Sequence, residues 1–224
     1  MTAMTELTVS FEPVAPAGGP HSDAGRSRLI EAGAPVYLLV GGILRENGAG
    51  DDEPFDLLVA SGITREFDAF FRPMLQFFRV SRTEEQATEW LAWAGAPADA
   101  LKDCVDTGLV VRVDTTDPES AAESFKGIRI IPHSIPGEPD PDFPTQIIVH
   151  REPAGPVATF VPIELAHVLW GLDEPLDIPA AIQLMSRHAG EPMGRVARRV
   201  LTNIPALLAH GLARLEWVKA PSQR

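Results

Sequence analysis

Apolar residues in this chain fall into short runs and helical repeats, punctuated by proline and glycine. Residues 36–40 (Val-Tyr-Leu-Leu-Val) form an unbroken apolar run with a β-branched and aromatic bias, which predicts a buried strand. Gly41 and Gly42 permit a bend, and Ile43 and Leu44 resume the strand. A polar loop over 46–54 leads to a second run at 55–60, so the two strands read as a hairpin. Phe67, Phe70, Phe71, Met74, Leu75 and Phe78 recur at helical spacing, with Pro73 near the start of that helix or breaking it. The next helix opens on a capping box, Ser81 with Glu84 or Thr83 with Gln86, and closes at Gly95. A third helix is expected over 97–107, with Leu101, Cys104 and Val105 on one face and Gly108 as its stop. A strand follows at 109–113.

Residues 115–124 are acidic and polar and read as a connection. The order then repeats. A strand at 128–131 precedes residues 132–144, whose five prolines and three acids predict a long loop without structure of its own. Strands are expected at 146–149 and 157–161. Pro162 suits the first turn of a helix running to Trp170. Asp177 caps the next helix, with Pro179 in its first turn and Ile182, Leu184 and Met185 toward the core. The last helix begins near Pro192 and carries Val196, Val200, Leu201, Leu207 and Leu208; Pro205 kinks or divides it. Gly211 ends it, and 212–218 is the closing strand. Residues 1–27 are rich in Pro, Gly, Ala and Ser and predict a loose tail with one strand near 7–11.

Two passages, beginning at Leu101 and at Leu207, share one plan: a helix end, a glycine, then a leucine that opens a strand. A glycine accommodates the left-handed residue at a helix end, and the leucine drops into the core. A helix-turn-helix followed by such a strand resembles the winged-helix fold, and finding it twice indicates a duplicated unit. The expected fold is therefore α+β, with two winged-helix-like repeats, each a small antiparallel sheet with about three helices. The divisions are a tail at 1–27, a first domain at 28–114, a linker at 115–126 and a second domain at 127–224. Helix–Gly–Leu–strand is also a common junction of mixed folds, so an unrelated α+β fold stays open.

Residues 166–173 (Ala-His-Val-Leu-Trp-Gly-Leu-Asp), 178–185 and 196–212 resemble the PqqD-like family, small winged-helix domains also called RiPP recognition elements. The resemblance covers about 127–218. It implies a peptide-binding domain that presents a precursor's leader peptide to modifying enzymes. It also implies a site, in which the peptide adds as a strand beside the third strand and lies against the third helix. Here that means Val157, Thr159 and Val161 on the strand, with Arg195, Arg198, Arg199 and Thr202 on the helix. Strand addition gives main-chain hydrogen bonds, and alternate side-chain pockets give specificity. Arg195, Arg198 and Arg199 stand at i, i+3 and i+4, share a helix face and could meet acidic side chains of a peptide.

Charge sharpens the alternatives. The net charge of −12 opposes general nucleic-acid binding. Residues 187–224 nevertheless carry seven basic residues against two acids, a balance of +5 that leaves −17 for the rest. The same arginines could enter a DNA major groove, or form a solvated face with no ligand. The matching helix of the first half, with Lys102, Asp103 and Asp106, is nearly neutral, which disfavours a two-site DNA binder. An acidic tandem winged-helix scaffold is a further alternative. The aromatic first half, with Trp90 and Trp93, fits core packing or a homodimer contact.

The single cysteine, Cys104, forms no disulfide framework, and no apolar run approaches the ~20 residues of a membrane span. Together with the absence of a signal-like start, this predicts a cytoplasmic protein without a membrane partner. Histidines stand at 21, 133, 150, 167, 188 and 210, and none pairs with another His or Cys at metal-ligand spacing. His167 and His210 read as partly buried structural residues and Cys104 as a structural thiol. Ser134 lacks a nucleophile setting, and Gly41-Gly42 lacks the rest of a phosphate loop. No cofactor, metal or catalytic residue is expected. The function predicted is a non-catalytic peptide- or protein-binding adaptor.

Overall fold

The computed structural model describes residues 29–30, 33–44, 54–60, 63–172 and 176–219. The tail with its expected strand near 7–11, and most of the loop over 46–54, lie outside them. The first half runs β1 (Val36–Leu39), β2 (Gly42–Leu44), β3 (Phe55–Ala60), β4 (Ile63–Phe67), α1 (Arg72–Phe77), a short β5 (Arg82–Thr83), α2 (Glu84–Trp93), α3 (Ala100–Asp106) and β6 (Val110–Val113). Helix α4 (Pro118–Glu123) follows. The second half runs β7 (Ile128–Pro132), β8 (Ile135–Pro139), β9 (Gln146–His150), β10 (Val157–Pro162), α5 (Ile163–Trp170), α6 (Ile178–Ala189), α7 (Met193–Leu201), α8 (Ile204–Ala209) and β11 (Ala213–Trp217). The fold is α+β, built of small antiparallel sheets and several helices.

Both halves pass through the same order. β2–β3–β4 and β8–β9–β10 are antiparallel meanders, and helices follow each. The opening strand of each half pairs antiparallel with its closing strand, β1 with β6 and β7 with β11. The two helix–Gly–Leu junctions also match in detail. Gly108 and Gly211 sit at φ +72° and +64°, where a glycine avoids the Cβ penalty. Leu109 N donates to Cys104 O at 2.9 Å and Leu212 N to Leu207 O at 2.8 Å, the wider bond of a Schellman motif.

The two cores meet on one strand. Val36, Leu38 and Val40 face a large core shared with α4 to α8, β7 and β11. Tyr37 and Leu39 face a smaller core in which Trp90 stacks on Phe77 at 4.7 Å. A strand covered on both faces is apolar throughout, which explains the unbroken run. Further ties join the halves: β3 pairs parallel with β11 at Ala60 and Trp217, so β2, β3, β11 and β7 lie in one sheet. Gly41 N donates to Leu215 O at 2.8 Å, and the Trp217 indole N–H donates to Gly108 O at 2.8 Å.

Several expectations need correction. The acidic segment at 115–124, expected as a linker, holds α4. Asp117 caps it, accepting from Glu119 N and Ser120 N, and Ala121, Ala122 and Phe125 are buried. Its apolar stripe is mostly alanine, which the acids mask in sequence. The proline segment at 132–144 contains β8, because an edge strand tolerates residues without an N–H. β4 was not expected at all, and a 3₁₀ turn at Ala69–Phe71 replaces the start of the predicted long helix. Thr83 with Gln86, not Ser81 with Glu84, forms the capping box. In α6 the core face is Ile178, Ala181, Ile182 and Met185, while Leu184 lies outside it. Pro205 divides the last helix by starting α8.

Because β1 completes both cores, urea unfolding is expected to follow one transition by circular dichroism and tryptophan fluorescence alike. Leu38→Ala should cost about 3 kcal/mol and shift both signals together. Two separated transitions would contradict the shared strand.

Candidate functional site

Sheet β8–β9–β10 has one face on the large core and one in solvent. Val149 and Val161 are buried, with Ile147 packed beside them. Strand alternation places the next residues outward. Phe160 stands opposite Ile148, while Val157 and Ile135 both stand opposite His150. Val157 is 50% exposed, Phe160 42%, Ile163 at the start of α5 38% and Ile135 38%. These apolar side chains lie on either side of His150 and toward the outer edge of β10, which among the described residues pairs with β9 alone.

The seven residues expected to hold a peptide are distributed unevenly. Val157 is exposed at the start of β10, beyond a register shift between Val157 and Thr159. Thr159 is half-buried, and Val161 points into the core, so its side chain is out of reach of a ligand. Arg199 is engaged inside the molecule. Its Nη1 donates to Glu191 Oε2 at 3.0 Å, and its Nε lies 2.8 Å from Glu164 Oε1, close enough for an ion pair though not aligned as a hydrogen bond. The hydrogen bond to Arg199 holds the Glu191 carboxyl below its ordinary range. Thr202 turns back on its own helix, donating to Arg198 O at 2.7 Å. Arg195 is 68% exposed and stands 3.9 Å from Glu191, and Arg198 is exposed.

The basic face of α7 is thus partly neutralised by Glu164 and Glu191, which lie distant from it in sequence or on its N-terminal flank. The structure does bring α7 toward β10, because Glu164 follows Pro162 by two residues. Phe160, Ile163, Ile135 and Ile148 were not anticipated. The sequence Val-Ala-Thr-Phe-Val carries no polar alternation, so nothing in it shows which face is outward.

A second concentration of polar groups lies where the halves meet. Glu216, 1% exposed, accepts from Arg129 Nη2 and Arg214 Nη2, both at 2.9 Å. Arg214 Nη1 lies 2.9 Å from His133 Nε2. Burial, then the fields of Arg214 and Arg79, press the His133 imidazolium down to about 4. His133 was passed over as having no partner in sequence. His167 and His210, expected to be partly buried, are exposed. Burial pushes the Cys104 thiol up to about 11, leaving it a packed, unreactive group. Among the described residues, no three His, Cys, Asp or Glu side chains gather closely enough to hold a metal, and no helix is long and apolar enough to cross a membrane.

Comparison of the chain with known protein families, with curated proteins and with solved structures found no match.

Three outcomes follow from these electrostatics. Unfolded His133 titrates near ~6.5, whereas the folded group is held near about 4. Between those values the unfolded chain binds the extra proton, so His133 lowers stability as pH falls through that window and adds no further loss below it. Urea melts at pH 7 and pH 4.5 should show His133→Gln less acid-sensitive than the parent by on the order of 2 kcal/mol. Arg199→Ala leaves two carboxylates facing each other and should cost about 1 kcal/mol, less at high salt. Arg195→Ala should stay within ~0.5 kcal/mol.

Proposed function

We propose that the protein is a non-catalytic adaptor that captures an extended peptide as an added strand on β10. The observation that carries this reading is the contrast between the two edges of one sheet. β8 is blunted by Pro136, Glu138 and Pro139. β10 carries no charge, and ahead of Pro162 it presents Val157 and Phe160 to solvent. Natural edge strands are guarded by charge, proline or a cover. Here a register shift near Val157 is the modest guard. A strand added there gains main-chain hydrogen bonds, and the outward apolar residues receive alternate side chains.

The matching order of the two halves supports a tandem pair of winged-helix-like repeats. The resemblance of the second half to PqqD-like domains supports the same edge as the docking position. It suggests a precursor peptide, presented to a modifying enzyme, as the ligand. Neutralisation of Arg199 shifts the expected peptide from acidic to mainly apolar, and argues against the arginines as a major-groove reader. A cytoplasmic setting is part of the proposal and fits the single buried thiol.

Peptide display against the full chain should select extended sequences with alternating apolar residues. Phe160→Asp and Ala158→Pro should each weaken the selected peptides at least about tenfold, ~1.4 kcal/mol. Amides at 157–161 should gain exchange protection on binding. Peptides that bind both variants as tightly as the parent would sink the reading. So would protection that follows protein concentration instead of peptide, since that describes a homodimer through β10.

A further inference from the structure

We infer that the cleft between Gly41 and Arg214, at the seam of the two halves, binds a compact oxyanion, the phosphate or carboxylate group of a small ligand. The site is separate from β10 and stands whether or not a peptide docks there. The β1–β2 corner, the residues after α1, the end of β7, α8 and β11 all contribute to its wall. Arg79, Arg214 and His133 line it, and among the described residues no aspartate or glutamate does. The chain carries a net charge of −12, yet the described lining brings two guanidiniums together, with Glu216 paired to Arg214 behind it.

The arrangement is built before any ligand arrives. Arg214 is held from behind by Glu216, with Nε at 3.3 Å and Nη2 at 2.9 Å, and from the side by His133 at 2.9 Å. A guanidinium fixed in this way loses little side-chain entropy on binding. The planar fork of arginine matches the oxygens of phosphate and carboxylate. Glu216 is shared with Arg129, so one carboxylate serves two guanidiniums. Leu39, Leu208 and Leu215 form an apolar floor, where a charge interaction is stronger than in open water. The enclosed space is about 20 Å³, where a single water needs roughly 10–15 Å³, so the cleft takes one compact group and no larger ligand.

The test is a nuclear magnetic resonance titration of the full chain with inorganic phosphate and, separately, acetate, with chloride at matched ionic strength as control. Saturable shifts at the amides of Gly41, Gly42, His133 and Leu215 are expected. Saturation by phosphate alone assigns a phosphate group, and saturation by acetate too or alone includes a carboxylate. Arg79→Gln should weaken the binding at least about fivefold while amides remote from the cleft keep their shifts. Arg79→Lys, which keeps the charge without the fork, should fall between. Shifts that fail to saturate or that chloride reproduces would overturn the inference, as would equal affinity in Arg79→Gln.

Discussion

A strand buried on both faces must be apolar at every position, and it must be supplied with partners from two directions. β1 meets both demands. Leu38 lies opposite Val111 on one face, and Leu39 lies opposite Val110 on the other. Each fully buried aliphatic side chain contributes roughly 1.5–3 kcal/mol. The strand thus couples two groups of elements that are also joined through the sheet β2–β3–β11–β7. Gly41 passes directly from β1 into the second half through Leu215, and Trp217 returns the contact at Gly108. The halves are alike in order but share one interior wall.

Polar groups follow the same division. Charges at the seam are largely buried and paired, as in the row Arg129, Glu216, Arg214, although Arg129 Nε is buried without a hydrogen-bond partner. Charges on α7 are half-exposed and answered by Glu164 and Glu191. A buried row of this kind resists substitution more than it adds stability, because removing one member leaves another uncompensated. The outer face of the β8–β9–β10 sheet differs from both. Among the described residues it presents the apolar Val157, Phe160 and Ile135 beside His150, and an apolar patch on a surface marks a contact site.

Much of the architecture was legible in the chain. The run at 36–40, the glycines at 108 and 211 and the caps at Thr83 and Asp177 each express a local rule, and local rules survive folding. The misses share a cause. β8 and α4 are stabilised by neighbours: β9 lends hydrogen bonds to a proline-rich edge, and α7 covers the alanines of α4. α7 is distant from α4 in sequence, whereas β9 follows β8 directly but the prolines hide the strand. The candidate site was partly legible. β10 and α7 were placed correctly as elements, but which of their side chains face outward depends on the sheet and on Glu164. The row around His133 joins residues over eighty positions apart and left no pattern to detect.

The double burial of β1 also bears on how the chain is made. Val-Tyr-Leu-Leu-Val leaves the ribosome well before β11, one of the elements that cover its Leu38 face. Until those residues emerge, β5 and β6 can pair with the strand, but its Leu38 face stands exposed on the nascent chain. Non-local pairings of this type fold slowly and invite association in the interval. Shielding during synthesis is therefore the cost of joining two similar halves through a single interior strand.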